Sequence, residues 1–126
     1  MSITLVFYKE DDGTIPVMEF FEKIPELVRL KLIARLELLE SLGHLLRRPH
    51  CDYLGEGVYE LRVRQVKTQY RLLYFFYKKE FVVISHGFTK EQKIPPIEIM
   101  RARSRATKFT ANPQKHSYFE VYRGYE

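Results

Sequence analysis

With 126 residues, 45% of them hydrophobic, and a single cysteine, the chain has material for one hydrophobic core and no intrachain disulfide, which excludes a second sizeable domain, a disulfide scaffold and a disordered composition. Lysine plus arginine exceed aspartate plus glutamate by 21 to 16, a formal charge of +5, which suits an anionic partner without requiring one. The longest apolar run, Leu72 to Tyr77, is too short to cross a bilayer, and Met1 to Tyr8 carry no basic region followed by a long apolar stretch, so a cytoplasmic protein with no membrane association is expected.

Residues 3 to 8 are β-branched and aromatic and stop at the polar cluster Lys9 to Gly13, which predicts a strand and a turn. Thr14 to Glu22 suit a brief helix with Thr14 as cap and Pro16 in its first turn. A longer helix is predicted over Pro25 to Leu42, with Leu27, Leu30, Ala34 and Leu38 on one face, joined by Ile33 and Leu42, and with Gly43 as its C-terminal cap. From His50 the pattern alternates. Val58 to Arg64, Tyr70 to Tyr77 and Phe81 to Phe88 read as three strands whose short connections favour an antiparallel meander. Pro95 opens a last helix to about Phe109. Asn112 to Glu126 are rich in tyrosine and fit either an added edge strand or a loosely ordered tail.

Alternation along Val58 to Arg64 places Glu60, Arg62 and Arg64 on one face and Tyr59, Leu61 and Val63 on the other. Packed against a helix, the apolar set is buried and the ionic set lies on the open side of the sheet. Arg71 sits in Tyr70-Arg-Leu-Leu-Tyr-Phe-Phe-Tyr77, where a charge needs water, a partner or a ligand. A four-residue connection over Gln65 to Gln69 puts Arg71 opposite Arg64, so that three guanidiniums converge with Glu60 or a bound phosphate to relieve their repulsion. A five-residue connection sends it to the other face. His86 falls beside Arg71 if the turn at Lys78-Lys79 has two residues, where it suits a general acid or base. Lys67, Lys93, Arg101 and Arg105 supply further cations for RNA phosphates. Histidines 44, 50, 86 and 116 are scattered, and neither a metal-ligand spacing nor a Gly-rich phosphate loop is present, so no metal or cofactor is expected. Cations that stabilise charge as a 2′-hydroxyl attacks the adjacent phosphate remain as the chemistry.

Three ordered motifs, Leu54-Gly-Glu-Gly-Val-Tyr-Glu-Leu-Arg-Val-Arg64, Tyr70-Arg-Leu-Leu-Tyr-Phe-Phe76 and His86-Gly-Phe-Thr-Lys-Glu-Gln-Lys-Ile-Pro-Pro96, resemble the phage Gp49-like, HigB-type toxins of the RelE/ParE superfamily, over roughly residues 1 to 109. The resemblance implies a compact RelE-like α+β fold: an antiparallel sheet of about four strands, N-terminal helices on one face and a C-terminal helix, in one domain spanning 1 to 126 with an atypical tail from 110. It implies cleavage of mRNA on the translating ribosome and neutralisation by a cognate helix-turn-helix, HigA-like antitoxin in a heterotetramer.

Carried over residue by residue, the family's basic strand positions match Arg62 and Arg64, the arginine opening the next strand matches Arg71, and Lys90 is the basic residue of the loop before the last helix. The chain departs where Ile94-Pro-Pro-Ile-Glu98 lacks the tyrosine that RelE uses to stack on a base, and where Glu60 replaces a basic residue. His116, Tyr118 or Tyr122 could fold back to supply stacking or proton transfer. A ParE-like toxin that inhibits DNA gyrase and a non-catalytic RNA- or ribosome-binding module are the competing expectations.

Overall fold

A computed structural model of the chain describes residues 3–90 and 93–119. Its elements are β1 (Thr4–Tyr8), α1 (Pro16–Lys23), α2 (Glu26–Leu42), β2 (Cys51–Gly55), β3 (Val58–Gln65), β4 (Thr68–Tyr77), β5 (Phe81–Thr89), α3 (Pro96–Ala111) and β6 (Ser117–Tyr118). The strands form one sheet in the order β2-β3-β4-β5-β1-β6. The class is α+β, but about four antiparallel strands become six in a mixed sheet, because β1 runs parallel to β5.

β1 explains why the pairing was hidden. Leu5 and Phe7 join the core beneath α1 and α2, while Val6 and Tyr8 join the one beneath α3. A strand buried on both faces is apolar at successive positions and carries no alternation to fix its neighbour. β2 is a further addition, held to β3 by a turn in which Glu56 and Gly57 have φ of 52° and 84°, the left-handed pair that a two-residue hairpin needs.

The helices form two layers on opposite faces of the sheet. α1 and α2 cover Leu61, Val63, Leu72, Tyr74, Val82 and Ile84. Gly87 lets α1 approach β5 closely: a Cβ there would lie 2.2 Å from the ring of Phe20. Thr14 does not cap α1; Ile15 occupies the cap position, and the Thr14 N–H instead donates to Asp12 Oδ1 at 2.9 Å. Gly43 does close α2, its N–H donating to the Leu39 carbonyl.

The buried stripe of α2 is Val28, Leu32, Ile33, Leu36 and Leu39, which shares Ile33 with the expected face, while Leu38 packs on the core partly buried. Leu27 and Leu30 stay 53% and 47% exposed. This helix is apolar on two faces, so its period fits either stripe, and the choice is made by the sheet. Burial of each leucine stabilises by about 1.5–3 kcal/mol, and the selected stripe has Val28, Leu32, Leu36 and Leu39 fully covered.

α3 lies across the other face, where Ala102 and Ile99 pack on Val58, Leu73 and Phe88, and Phe109 packs on Phe75 and Val83. The face carrying Glu60 is therefore covered at that end and open only toward the β3–β4 hairpin. Among the described residues, no helix is long and apolar enough to cross a membrane.

Candidate functional site

The β3–β4 hairpin turns on two residues, Val66 and Lys67, with Gln65 opposite Thr68. Arg64 therefore opposes Gln69, and Arg71 opposes Arg62 rather than Arg64. Parity is kept, so Arg71 shares the face of Glu60, Arg62 and Arg64, one pair further from the tip than the four-residue connection gave. Lys90 closes this row at the end of β5, where its N–H donates to the Gln69 carbonyl at 3.0 Å.

The three arginines are not equivalent. Arg71 is 4% exposed, and its Nη1 donates to the carboxylate of Glu60, itself 1% exposed; Nη2 donates to Gln69 Oε1 at 3.1 Å. Glu60 is thus the counter-ion that lets an arginine sit inside an aromatic strand. Arg62 is half-buried, 3.4 Å from Asp52 Oδ2 and 3.7 Å from Glu60 Oε1, and Asp52 also holds Arg48. Arg64 is exposed, its Nε donating to the Val66 carbonyl at 3.0 Å. Lys67 and Lys90 are exposed. Among the described residues, Arg64, Lys67 and Lys90 have no carboxylate within an ion pair.

A second polar group lies where α3 crosses β5. The turn between β4 and β5 takes three residues, Lys78 to Glu80, and an irregularity at Ser85 restores the parity, so His86 opposes Leu73 and not Arg71. His86 is 5% exposed. Its Nδ1 lies 2.8 Å from Ser85 Oγ and its Nε2 lies 2.9 Å from Glu98 Oε1. A neutral ring satisfies both by donating from Nε2 to the carboxylate and accepting the serine proton at Nδ1. Arg101 donates to Glu98 at 2.8 Å, and Arg105 donates to Glu10 at 2.6 Å with Nη1 3.5 Å from Ser85 Oγ. Both predicted RNA-binding arginines are thus tied to carboxylates; His86–Glu98 and Arg105–Ser85 fasten α3 to β5, Arg105–Glu10 ties it to the segment after β1, and Arg101–Glu98 lies within α3.

Burial first, and then the Arg105 charge, push the His86 pKa down to about 4 against the opposing pull of Glu98. The native ring stays neutral while the unfolded chain protonates near 6.5, so the stabilisation is complete above that pH and is lost as pH falls toward 4. The slope contributed by one group is at most about 1.4 kcal/mol per pH unit. Urea titrations between pH 7 and 4 are expected to show this segment in the parent and its loss in His86→Gln; parallel curves for the two proteins would refute the assignment.

Lys93 is exposed just before α3 and belongs to neither group. His116 and Tyr118 do not fold back onto the arginine row. His116 stacks on Tyr8 and lies 2.7 Å from the Lys9 carbonyl through Nδ1, and Tyr118 packs against the α1–α2 core. Tyr118 lies in β6, which His116 immediately precedes, and β6 is four places from β3 in the sheet, about 19 Å at the usual strand spacing. Tyr122 lies outside the described residues. The residues that sequence reasoning missed are the partners: Asp52, Ser85, Glu98 and Glu10. Asp52 to Arg62, Glu98 to His86 and Glu10 to Arg105 cross between elements and stand at no diagnostic spacing, whereas Glu98 to Arg101 is an i,i+3 pair within α3 and Ser85 adjoins His86 in β5. Among the described residues, no cluster of His, Cys, Asp and Glu is placed to hold a metal ion.

A family model described as Phage derived protein Gp49-like (DUF891) matches residues 19–107, from α1 to α3. No curated protein matches the chain.

Proposed function

The chain belongs to the phage-derived Gp49-like family, a toxin-like family, and from this premise we propose that it is the toxin of a toxin–antitoxin pair and cleaves mRNA on the translating ribosome. The observation that carries this function is the open cationic corner of the sheet, where Arg64, Lys67 and Lys90 stand without carboxylate partners among the described residues, next to half-buried Arg62. Arginine and lysine spaced along a hairpin match the repeating phosphates of a single strand. In the reaction the 2′-oxygen bonds to phosphorus, the bond to the 5′-oxygen breaks, and one proton leaves the former while another joins the latter. Arg62 and its neighbours stabilise the charge gathering on the phosphate oxygens, while Arg71 holds Arg62's surroundings rigid from below through Glu60.

A single cytoplasmic domain with a HigA-like helix-turn-helix antitoxin, assembled as a heterotetramer, completes the proposal. The burial of Arg71 and His86 favours a second possibility, a ParE-like toxin that binds DNA gyrase and performs no cleavage. Brief expression of the parent and of Arg62→Ala, with mRNA 5′ ends mapped alongside plasmid supercoiling, separates the two. Codon-phased cuts lost in the variant are expected. Intact mRNA with altered supercoiling would replace the nuclease by the gyrase inhibitor.

A further inference from the structure

The hairpin tip is built at a cost that its own packing does not return. Glu56, Val66 and Lys78 are the described non-glycine residues with positive φ, and of these Val66 alone is β-branched. At φ 59° its branched Cβ crowds the backbone in a region that glycine or asparagine enters freely. The side chain is also 80% exposed, so no core contact explains it.

Two tethers keep the tip in this form. Lys31 of α2 donates to Gln65 Oε1 at 2.7 Å on one side, and Arg64 donates to the Val66 carbonyl at 3.0 Å on the other. The second tether sets a guanidinium beside the valine, and Lys67 follows it in the chain. The result is a fixed apolar knob between two cations that have no carboxylate partner among the described residues. Such a knob can press against the face of an unstacked base whose flanking phosphates the cations hold.

We propose that Val66 is a base-contacting residue that packs against one base of the RNA strand engaged by Arg64 and Lys67. This inference rests on the RNA-binding role proposed for the hairpin, and the partner is single-stranded because a base in a duplex offers no free face.

The test uses the full chain and a short single-stranded oligonucleotide with 2′-O-methyl groups throughout, which binds but cannot be cleaved at the 2′ position. Val66→Gly is expected to raise the melting temperature by roughly 3–6 °C through relief of strain and to weaken binding about tenfold, with the slope of log K against log salt unchanged. Val66→Leu is expected to restore the affinity. Lys67→Ala, by contrast, lowers the slope by about 0.7, the signature of one lost phosphate contact on a single strand.

Each other outcome overturns something definite. Undiminished affinity in Val66→Gly, with Lys67→Ala still lowering the slope, removes the base contact and leaves the RNA-binding hairpin standing. Loss of slope in Val66→Gly shows that the residue only places the cations. Absence of oligonucleotide binding by the parent overturns this inference, while the proposed function on the ribosome stands or falls by the mapped mRNA 5′ ends.

Discussion

Glu60→Ala is expected to lower the free energy of unfolding by about 3–5 kcal/mol, the range for breaking a buried ion pair from one side. The magnitude follows from what is left behind. Arg71 is 4% exposed and sits on a strand whose neighbours are Leu72, Leu73, Tyr74 and Phe75, all buried. Removing the carboxylate at 1% exposure takes away the buried pair with Glu60, which the neutral Gln69 oxygen at 3.1 Å does not replace. Arg62 loses a partner as well, but at 3.7 Å and half-exposed it adds little. Equilibrium urea unfolding at neutral pH measures the loss. The double replacement Glu60→Leu with Arg71→Met is expected to recover most of it, since apolar groups of similar size in place of a buried pair are often neutral or stabilising. A loss below about 1 kcal/mol in the single variant would mean that Glu60 is not the group that carries the burial of Arg71.

That outcome bears on how much of the site was legible beforehand. The ionic face of β3 was readable because its alternation is strict, and it correctly grouped Glu60 with Arg62 and Arg64. Whether Arg71 joined them depended on turn length, which parity settles only up to steps of two residues; the face was right and the partner was not. His86 hid a similar pair of shifts, a three-residue turn and an irregularity at Ser85, that cancel in parity. The covering of the face by α3 was not legible, since it depends on where a helix docks. A basic stripe on that helix looks the same whether its arginines meet RNA or, as Arg101 and Arg105 do, meet Glu98 and Glu10. The two apolar faces of α2 present the same difficulty in the core. Local periodicity reports which side chains share a face, and only tertiary contacts choose among faces of equal quality.

Arg62→Ala is expected to reduce RNA cleavage by about 10²–10³, the usual effect of removing one group that stabilises transition-state charge, while changing stability by less than about 1 kcal/mol. Among the three arginines of the face it alone combines support with access. Arg71 is enclosed by its pair with Glu60, and Arg64 bends back to its own turn at the Val66 carbonyl. Arg62 lies between them with its side chain 36% exposed, held from two sides by Asp52 and Glu60. A guanidinium fixed in this way needs little reorganisation when a phosphate gathers charge beside it. Arg62→Lys is expected to recover only part of the rate, because an ammonium keeps the charge and loses the planar fork that matches two phosphate oxygens. Arg64→Ala and Lys67→Ala should weaken binding with a smaller effect on the bound-state rate. The measurement is single-turnover cleavage on programmed ribosomes for each purified variant. Parent-like turnover in Arg62→Ala together with complete loss in Arg64→Ala would move the chemistry to the hairpin tip, whereas the same comparison using Arg71→Ala could not separate lost chemistry from lost folding.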